Sequence, residues 1–216
     1  VFGTVILFGA TGEILTEKSG NLNLGVPGIM YLGGIAGLVA SFFYEKGNPN
    51  PNVFVSVFIS FIASFAAAFV GGLIFSFLTI SLRANQNVTG LTLTIFGGGV
   101  ANFFGGSLNK LAGGVGQISV ATASGGYRAT TPLASLGAVG EVLFDHGFLA
   151  YVAIAVAVLV QLFLDRTRAG LNLRAVGENP GTADSAGINV TKNKYLATCI
   201  GAGISGIGAA CHLKRE

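Results

Sequence analysis

The chain has 216 residues, of which 51% are hydrophobic and 10% are charged, and its mean hydropathy is +0.71. Soluble domains carry about 25% charged residues, so this composition excludes an ordinary soluble domain and indicates a protein that lies in a lipid bilayer. The 34 glycines suit the close packing of membrane helices. No nucleic-acid partner is expected.

Uncharged runs along the chain predict an all-α polytopic membrane protein. Spanning a bilayer takes roughly 20 apolar residues, and we expect about six transmembrane or re-entrant helical segments in a single transmembrane domain over residues 1–216. The sequence begins inside an apolar run without methionine, so we expect it to be a fragment of a longer protein. The runs are residues 1–11, 25–44, 53–82, 88–109, 148–164 and 195–213.

Two of these runs depart from a simple spanning helix. The third is longer than a hydrocarbon core of about 30 Å if it is fully helical, and we expect it to tilt, protrude or bend at Gly71 and Gly72. The fourth is rich in glycine and polar residues. A broken or re-entrant segment buried against protein is predicted there.

The distribution of basic residues predicts the orientation in the membrane. Cytoplasmic loops of membrane proteins carry an excess of lysine and arginine. The segment 165–195 is therefore predicted to be cytoplasmic and the stretch 107–147 external. The basic residues of that cytoplasmic segment are Arg166, Arg168, Arg174, Lys192 and Lys194.

The connection between the first two runs is a candidate for part of a solute path. It carries Asn21 and Asn23 among helix-breaking residues, a pattern typical of interrupted helices at transport sites. A buried amide must be hydrogen-bonded or line a wet path. The alternative is a solvated turn made by Glu13, Glu17 and Lys18, which the asparagines cap.

A second polar cluster lies at the start of the fourth run and within it. Asn85, Asn87 and Asn102 offer hydrogen-bond donors and acceptors, and no ionisable side chain lies between residues 84 and 102. This composition suits a neutral polar solute. The alternative is that these amides only hold neighbouring helices together.

The polar segment 165–195 contains a predicted short helix. Asn179 suits the N-cap, Pro180 the first helical position and Gly187 the left-handed residue after the last turn. We therefore predict a helix of about two turns over residues 180–186 that stands outside the membrane and docks into another protein's groove. A solvated surface helix is the alternative.

Glycines 201, 203 and 206 match the spacing G-x-G-x-x-G, but the match does not predict dinucleotide binding. They lie in an apolar run with no preceding strand, so helix packing explains them better. No catalytic group and no metal-ligating cluster is predicted. The chain is expected to be no enzyme and to need no cofactor of its own.

Three segments give the chain a resemblance to a known family. They are GEILTEKSGNLNLGVPGIM, LRANQNVTGL and TRAGLNLRAVGENPGTADSAGINV, at residues 12–30, 82–91 and 167–190. These resemble inner-membrane permease subunits of ATP-binding cassette importers in the basic-membrane-protein/nucleoside and simple-sugar branch. The superfamily includes ribose and branched-chain amino-acid permeases. Many relatives carry an acidic residue where this chain has Pro27.

The resemblance implies that the segment 165–195 is the coupling loop, which docks on a cytoplasmic ATPase subunit that uses ATP and Mg²⁺. It also implies a second permease subunit, an extracytoplasmic solute-binding protein and a multi-pass location in the bacterial plasma membrane. Alternating access would move a small polar solute, a nucleoside by preference and a simple sugar next. The residues implied in docking are Gly177, Glu178, Asn179, Pro180, Ala183, Asp184, Ala186 and Gly187.

Two other interpretations remain open from the sequence. A secondary transporter built from broken helices would need a carboxylate within the membrane for ion coupling. The second is a truncated, inactive permease, since the family continues into further helices where this sequence ends in CHLKRE.

Overall fold

The computed structural model describes residues 2–111 and 148–210, and within these ranges it contains helices and no strand. Residues 112–147, most of the predicted external stretch, lie outside the described residues. The first five residues of that stretch, 107–111, continue the helix that precedes it. In chain order the helices are α1 (Phe2–Glu17), α2 (Val26–Gly47), α3 (Val53–Ser76) with a π-helical turn (Phe77–Ser81), α4 (Gln86–Leu111), α5 (Phe148–Arg166), α6 (Arg168–Glu178), α7 (Pro180–Ser185) and α8 (Val190–Ala210).

Four helical stretches of the described chain are long and apolar enough to cross a membrane: Val26–Gly47, Val53–Ser81, Gln86–Ser107 and Phe148–Arg166. Fewer than a third of their residues are buried in the isolated chain, as expected for helices with faces that meet lipid or other protein. The prediction of an all-α polytopic membrane protein is confirmed.

Helix α8 lies at the centre and packs against α1, α2 and α3. Its glycines meet these neighbours at close range. A Cβ on Gly201 would clash with the backbone of α1, one on Gly203 with the Phe65 ring, and one on Gly206 with Ala68. The prediction that glycines 201, 203 and 206 serve helix packing is confirmed.

Helix α4 is continuous, so the prediction of a broken or re-entrant segment in this run is wrong. Thr92 and Thr94 donate their hydroxyls to the carbonyls of Val88 and Gly90, one turn back on the same helix. Both hydroxyls are thus satisfied within the helix, and that of Thr94 also donates to the Leu24 carbonyl (3.1 Å). Two buried glycines of this run pack instead of breaking the helix: Gly97 lies on the backbone of α2, and Gly90 lies on the backbone of residues 24 and 25.

Helix α3 passes through Gly71 and Gly72 without interruption. Both glycines are buried, Gly72 against Ala202 of α8 and Gly71 against Ile29 of α2. The departure from α-helical geometry comes later, in the π-helical turn. Packing, rather than flexibility, explains the glycine pair.

Three connecting segments meet at one end of the bundle. The Leu22 amide donates to Gln86 Oε1 (2.8 Å), the hydroxyls of Ser81 and Tyr195 hydrogen-bond, and Gly20 lies against Gly177. Residues 18–25, the turn before α4 and the segment around α6 and α7 therefore share a side. Since residues 165–195 are predicted to be cytoplasmic, the other two segments would lie on the cytoplasmic side as well.

A methyl group at Gly206 tests the role of these packing contacts. We expect Gly206→Ala to lower the melting temperature of the purified protein in detergent, because its Cβ would clash with Ala68 and lie 2.8 Å from the Ser64 carbonyl oxygen. Overpacking typically costs about 1–3 kcal/mol. Gly98→Ala is the matched control, since within the described residues the added Cβ would meet no atom beyond its own helix backbone within 4 Å. Equal melting temperatures for the two variants would contradict the packing role.

Candidate functional site

The candidate coupling segment is a pair of short helices, α6 and α7, held between α5 and α8. Helix α6 begins at Thr167, whose hydroxyl accepts a hydrogen bond from the Gly170 amide (3.0 Å). Its apolar face, Leu173 and Val176, is buried. Leu173 belongs to a small core with Leu15, Leu164 and Ala197, so α6 rests on α1, α5 and α8 together.

Helix α7 has strong capping interactions at both ends. Asn179 Oδ1 accepts from the Thr182 amide (3.1 Å), and Pro180 occupies the first turn. Gly187 has a φ of +81°, and its amide donates to the Asp184 carbonyl (2.9 Å) while the next amide donates to the Ala183 carbonyl (3.0 Å). This pair of bonds is a Schellman motif. The predicted helix is confirmed, with its end at Ser185, one residue early.

The eight predicted docking residues fall into two groups. Ala183 is only 3% exposed and Gly177 is half-buried, so both face the bundle and seat the segment. The other six form an exposed surface at the tip of the segment, which we call the α7 surface. It consists of Glu178, Asn179, Pro180, Asp184, Ala186 and Gly187.

A close backbone contact joins this segment to the connection between α1 and α2. A Cβ on Gly177 would clash with the Lys18 carbonyl oxygen and lie 3.1 Å from the Gly20 amide nitrogen. Gly20 itself has a φ of +84°, which favours glycine. Gly177 is therefore required because a Cβ has no space there, and Gly20 is required because of its backbone conformation.

The connection buries both of its predicted solute-path residues. Asn21 and Asn23 are each 2% exposed. Asn21 Nδ2 donates to Thr198 Oγ1 of α8 (3.3 Å). The Asn23 amide donates to Glu13 Oε1 (2.8 Å), and Asn23 Oδ1 accepts from the Gly25 amide (2.9 Å). The asparagines therefore tie the connection to α1, α2 and α8, and the alternative of a solvated turn does not describe them.

The other three candidates are exposed, and within the described residues none of them is hydrogen-bonded to Asn21 or Asn23. Asn85 Oδ1 accepts from the amides of Asn87 (3.0 Å) and Val88 (3.3 Å), so it caps α4. Asn102 lies far along α4. The structure thus separates a buried pair, a capped helix start and a distant exposed amide.

Sequence reasoning missed the side chains that complete the hydrogen bonds of the connection. Thr198 lies in an apolar run and Gln86 among several amides, and neither position stands out by composition. Their partners are 177 and 64 residues away in the chain. Over the described residues, no group of three or more His, Cys, Asp or Glu side chains is placed to hold a metal ion.

Comparison with known proteins identifies the family. Residues 1–215 match the family described as "Branched-chain amino acid transport system / permease component". The chain belongs to this permease family. Membership and the apolar helices together make it a multi-pass protein of the plasma membrane, and the family is one of transport components, in line with the prediction that the chain is no enzyme.

Named relatives fall in the sugar and nucleoside branches. The chain is 35% identical over 97% of its length to a protein of Haloferax volcanii provisionally named a glucose ABC transporter permease. It is 30% identical over 98% to the guanosine ABC transporter permease protein of Bacillus subtilis and 29% identical over 98% to the nucleoside ABC transporter permease protein of Lactococcus lactis. It spans 59% of the first relative and 64% of the other two. No solved structure matches the chain.

Removal of the Asn179 cap tests how α7 is held. We expect Asn179→Ala to weaken α7 by about 1 kcal/mol, because the Thr182 amide loses its acceptor. Hydrogen exchange of the Thr182 amide should then be about fivefold faster. Asn179→Ser is the matched control, since serine also caps helices. Equal exchange rates in the alanine and serine variants would show that the cap does not stabilise α7.

Proposed function

We propose that the chain is a permease subunit of an ATP-driven importer and that the α7 surface docks on a cytoplasmic ATPase. The observation that supports this most directly is the construction of α7. Both ends are capped within the segment, Ala183 is turned inward, and the remaining residues are exposed. A rigid, outward-facing helix of small and polar residues is suited to insertion into a partner's groove.

Charge supports the cytoplasmic placement of this surface. The segment from the end of α5 to the start of α8 carries Arg166, Arg168 and Arg174 before α7 and Lys192 and Lys194 after it. Arg174 pairs with Asp165 at 3.3 Å. An excess of basic residues marks cytoplasmic loops. The ATPase, which binds ATP and Mg²⁺, would therefore meet the α7 surface from the cytoplasm.

The transport mechanism we propose is alternating access driven through this surface. The ATPase would bind α7 differently in its open and closed states, and only such a difference in binding free energy shifts the permease between two conformations. Motion of α7 would reach the bundle through Ala183 and through the contact of Gly177 with Gly20. The permease itself makes and breaks no covalent bond.

The solute we propose is a nucleoside, with a simple sugar as the second candidate. Relatives named for guanosine and nucleosides support the first, and the relative provisionally named for glucose supports the second. The amides at the cytoplasmic end, such as Asn21 and Asn23, suit a neutral solute. A second permease subunit and an extracytoplasmic solute-binding protein complete the proposed importer.

Co-purification tests the docking surface. We expect Asn179→Arg and Asp184→Lys to lower ATPase recovery with the tagged permease about tenfold, because each places a long cationic side chain on the α7 surface. Asp184→Lys leaves the Asn179 cap intact. Gly187→Val should act in the same direction by straining the residue after α7.

Asn50→Arg is the matched control, because Asn50 is exposed at the opposite end of the bundle. This variant should retain the ATPase fully. Membrane abundance of each variant is measured by immunoblot to separate docking from insertion. Full ATPase recovery with Asn179→Arg and Asp184→Lys, together with lost transport, would overturn the placement of the docking surface.

Uptake assays test the solute and the energy source. In cells that express the chain with its partner subunits, we expect accumulation of radiolabelled guanosine that depends on ATP and that unlabelled glucose does not reduce. Accumulation of glucose alone would assign a sugar instead. Uptake abolished by a protonophore but unaffected by mutation of the ATPase would contradict the importer and favour a secondary transporter.

A further inference from the structure

Two residues that are joined by a hydrogen bond each carry a buried polar atom with no hydrogen-bond partner within residues 2–111 and 148–210. The atoms are Glu13 Oε2 of α1 and Asn23 Nδ2 of the connection. A buried donor or acceptor without a partner destabilises a fold, and a charged group does so more strongly. Two such atoms on residues joined by a hydrogen bond therefore indicate a missing partner.

The other polar atoms of the two side chains are occupied, and this determines the chemistry of the pair. Glu13 Oε1 accepts from the Asn23 backbone amide (2.8 Å), so the two residues are joined directly. Asn23 Oδ1 accepts from the Gly25 amide (2.9 Å). The free amide atom of Asn23 is therefore the nitrogen, a donor, and the free atom of Glu13 is a carboxyl oxygen, which accepts when the group is ionised.

A group that fills this place must donate to Glu13 and accept from Asn23. A hydroxyl does both. A free anion is disfavoured by the Glu13 carboxylate, and a metal ion is disfavoured because the Asn23 amide presents hydrogens rather than an oxygen. The pair thus selects a neutral group with one donor and one acceptor.

The place also lies where several helices meet. Glu13 is in the last turns of α1, and the amide of Gly25, which donates to Asn23, begins the entry into α2. A Cβ on Gly25 would lie 3.1 Å from the Gly90 carbonyl oxygen of α4. A group bound between Glu13 and Asn23 would therefore contact the junction of α1, α2 and α4.

We propose that Glu13 Oε2 and Asn23 Nδ2 form a binding site for a hydroxyl group of the transported solute, the ribose of a nucleoside or a sugar ring. This inference rests on the proposed function, because it assigns a contact for the solute of that importer. It differs from the docking role of α7 in both location and chemistry. A buried water that bridges the pair is the competing occupant.

Direct binding to the assembled transporter in detergent tests the site, with guanosine and glucose as probes. Binding is measured rather than uptake, because the proposed solute-binding protein would capture the solute first. The affinity of that protein would then set how uptake depends on solute concentration. Glu13→Gln would leave the pair with two donors, and Asn23→Asp would leave it with two acceptors. We expect each to weaken the Kd about tenfold, since a hydrogen bond to a charged group is worth about 1.5–3 kcal/mol and 1.4 kcal/mol is tenfold.

The double variant Glu13→Gln/Asn23→Asp reverses the pair and provides a sharper test. The amide introduced at position 13 would keep its oxygen for the backbone amide of residue 23 and present a donor. The carboxylate introduced at position 23 would keep one oxygen for the Gly25 amide and present the other as an acceptor. A hydroxyl can rotate to match the reversed pair, so binding should recover to within about threefold of the parent. Glu17→Gln, on an exposed carboxylate one turn along α1, is the control and should leave the Kd unchanged.

The outcomes separate this inference from the proposed function. Solute binding by the parent that is unchanged in both single variants would overturn the site alone. Lower melting temperatures of the single variants with an unchanged Kd would also overturn it, and would assign the pair to a structural water. Failure of the parent to bind or take up either probe would overturn the proposed function, and this site with it.

Discussion

Direct contact between helix backbones at glycine is the constraint on which this structure depends. Lipid is as apolar as a leucine side chain, so helices in a membrane gain little from burying apolar surface and rely on close packing and hydrogen bonds. Here α8 meets α1 where Gly201 faces Gly12, and α4 meets α2 where Gly97 faces Gly28. Each contact leaves no room for a Cβ. The positions of the helices therefore follow from where glycine is present.

The same kind of contact connects the proposed docking segment to the bundle. Gly177 meets the connection at Lys18 and Gly20 as closely as the packed helices meet each other. Asn21 then joins that connection to Thr198 of α8. Interfaces this close do not deform gradually, since packed interiors have little free space. A displacement of α6 and α7 would consequently move the connection with it rather than be absorbed locally.

Local signals in the sequence were sufficient to predict α7, because an N-cap, a proline and a left-handed glycine act within a few residues of one another. The packing role of glycines 201, 203 and 206 could also be predicted from the sequence, since the apolar run around them excluded a nucleotide-binding loop. Helix α4 was predicted wrongly because glycine and threonine usually weaken a helix. The hydroxyls of Thr92 and Thr94 and the support of α2 reverse that effect. The bonds of the connection depend on distant residues such as Gln86, which no local pattern reveals.

The distribution of polar groups has a consequence for how the bundle can move. At the end where the connections meet, hydrogen bonds from the Leu22 amide to Gln86 and from Asn21 to Thr198 specify one arrangement. Between α2 and α3 the Ser56 hydroxyl donates to Glu45 Oε1 (3.0 Å), whereas the hydroxyls of Ser41, Ser60 and Ser64 are buried without a partner in the described residues. Rearrangement driven from α7 would therefore move the connection as a unit, because its hydrogen bonds join it to α4 and α8.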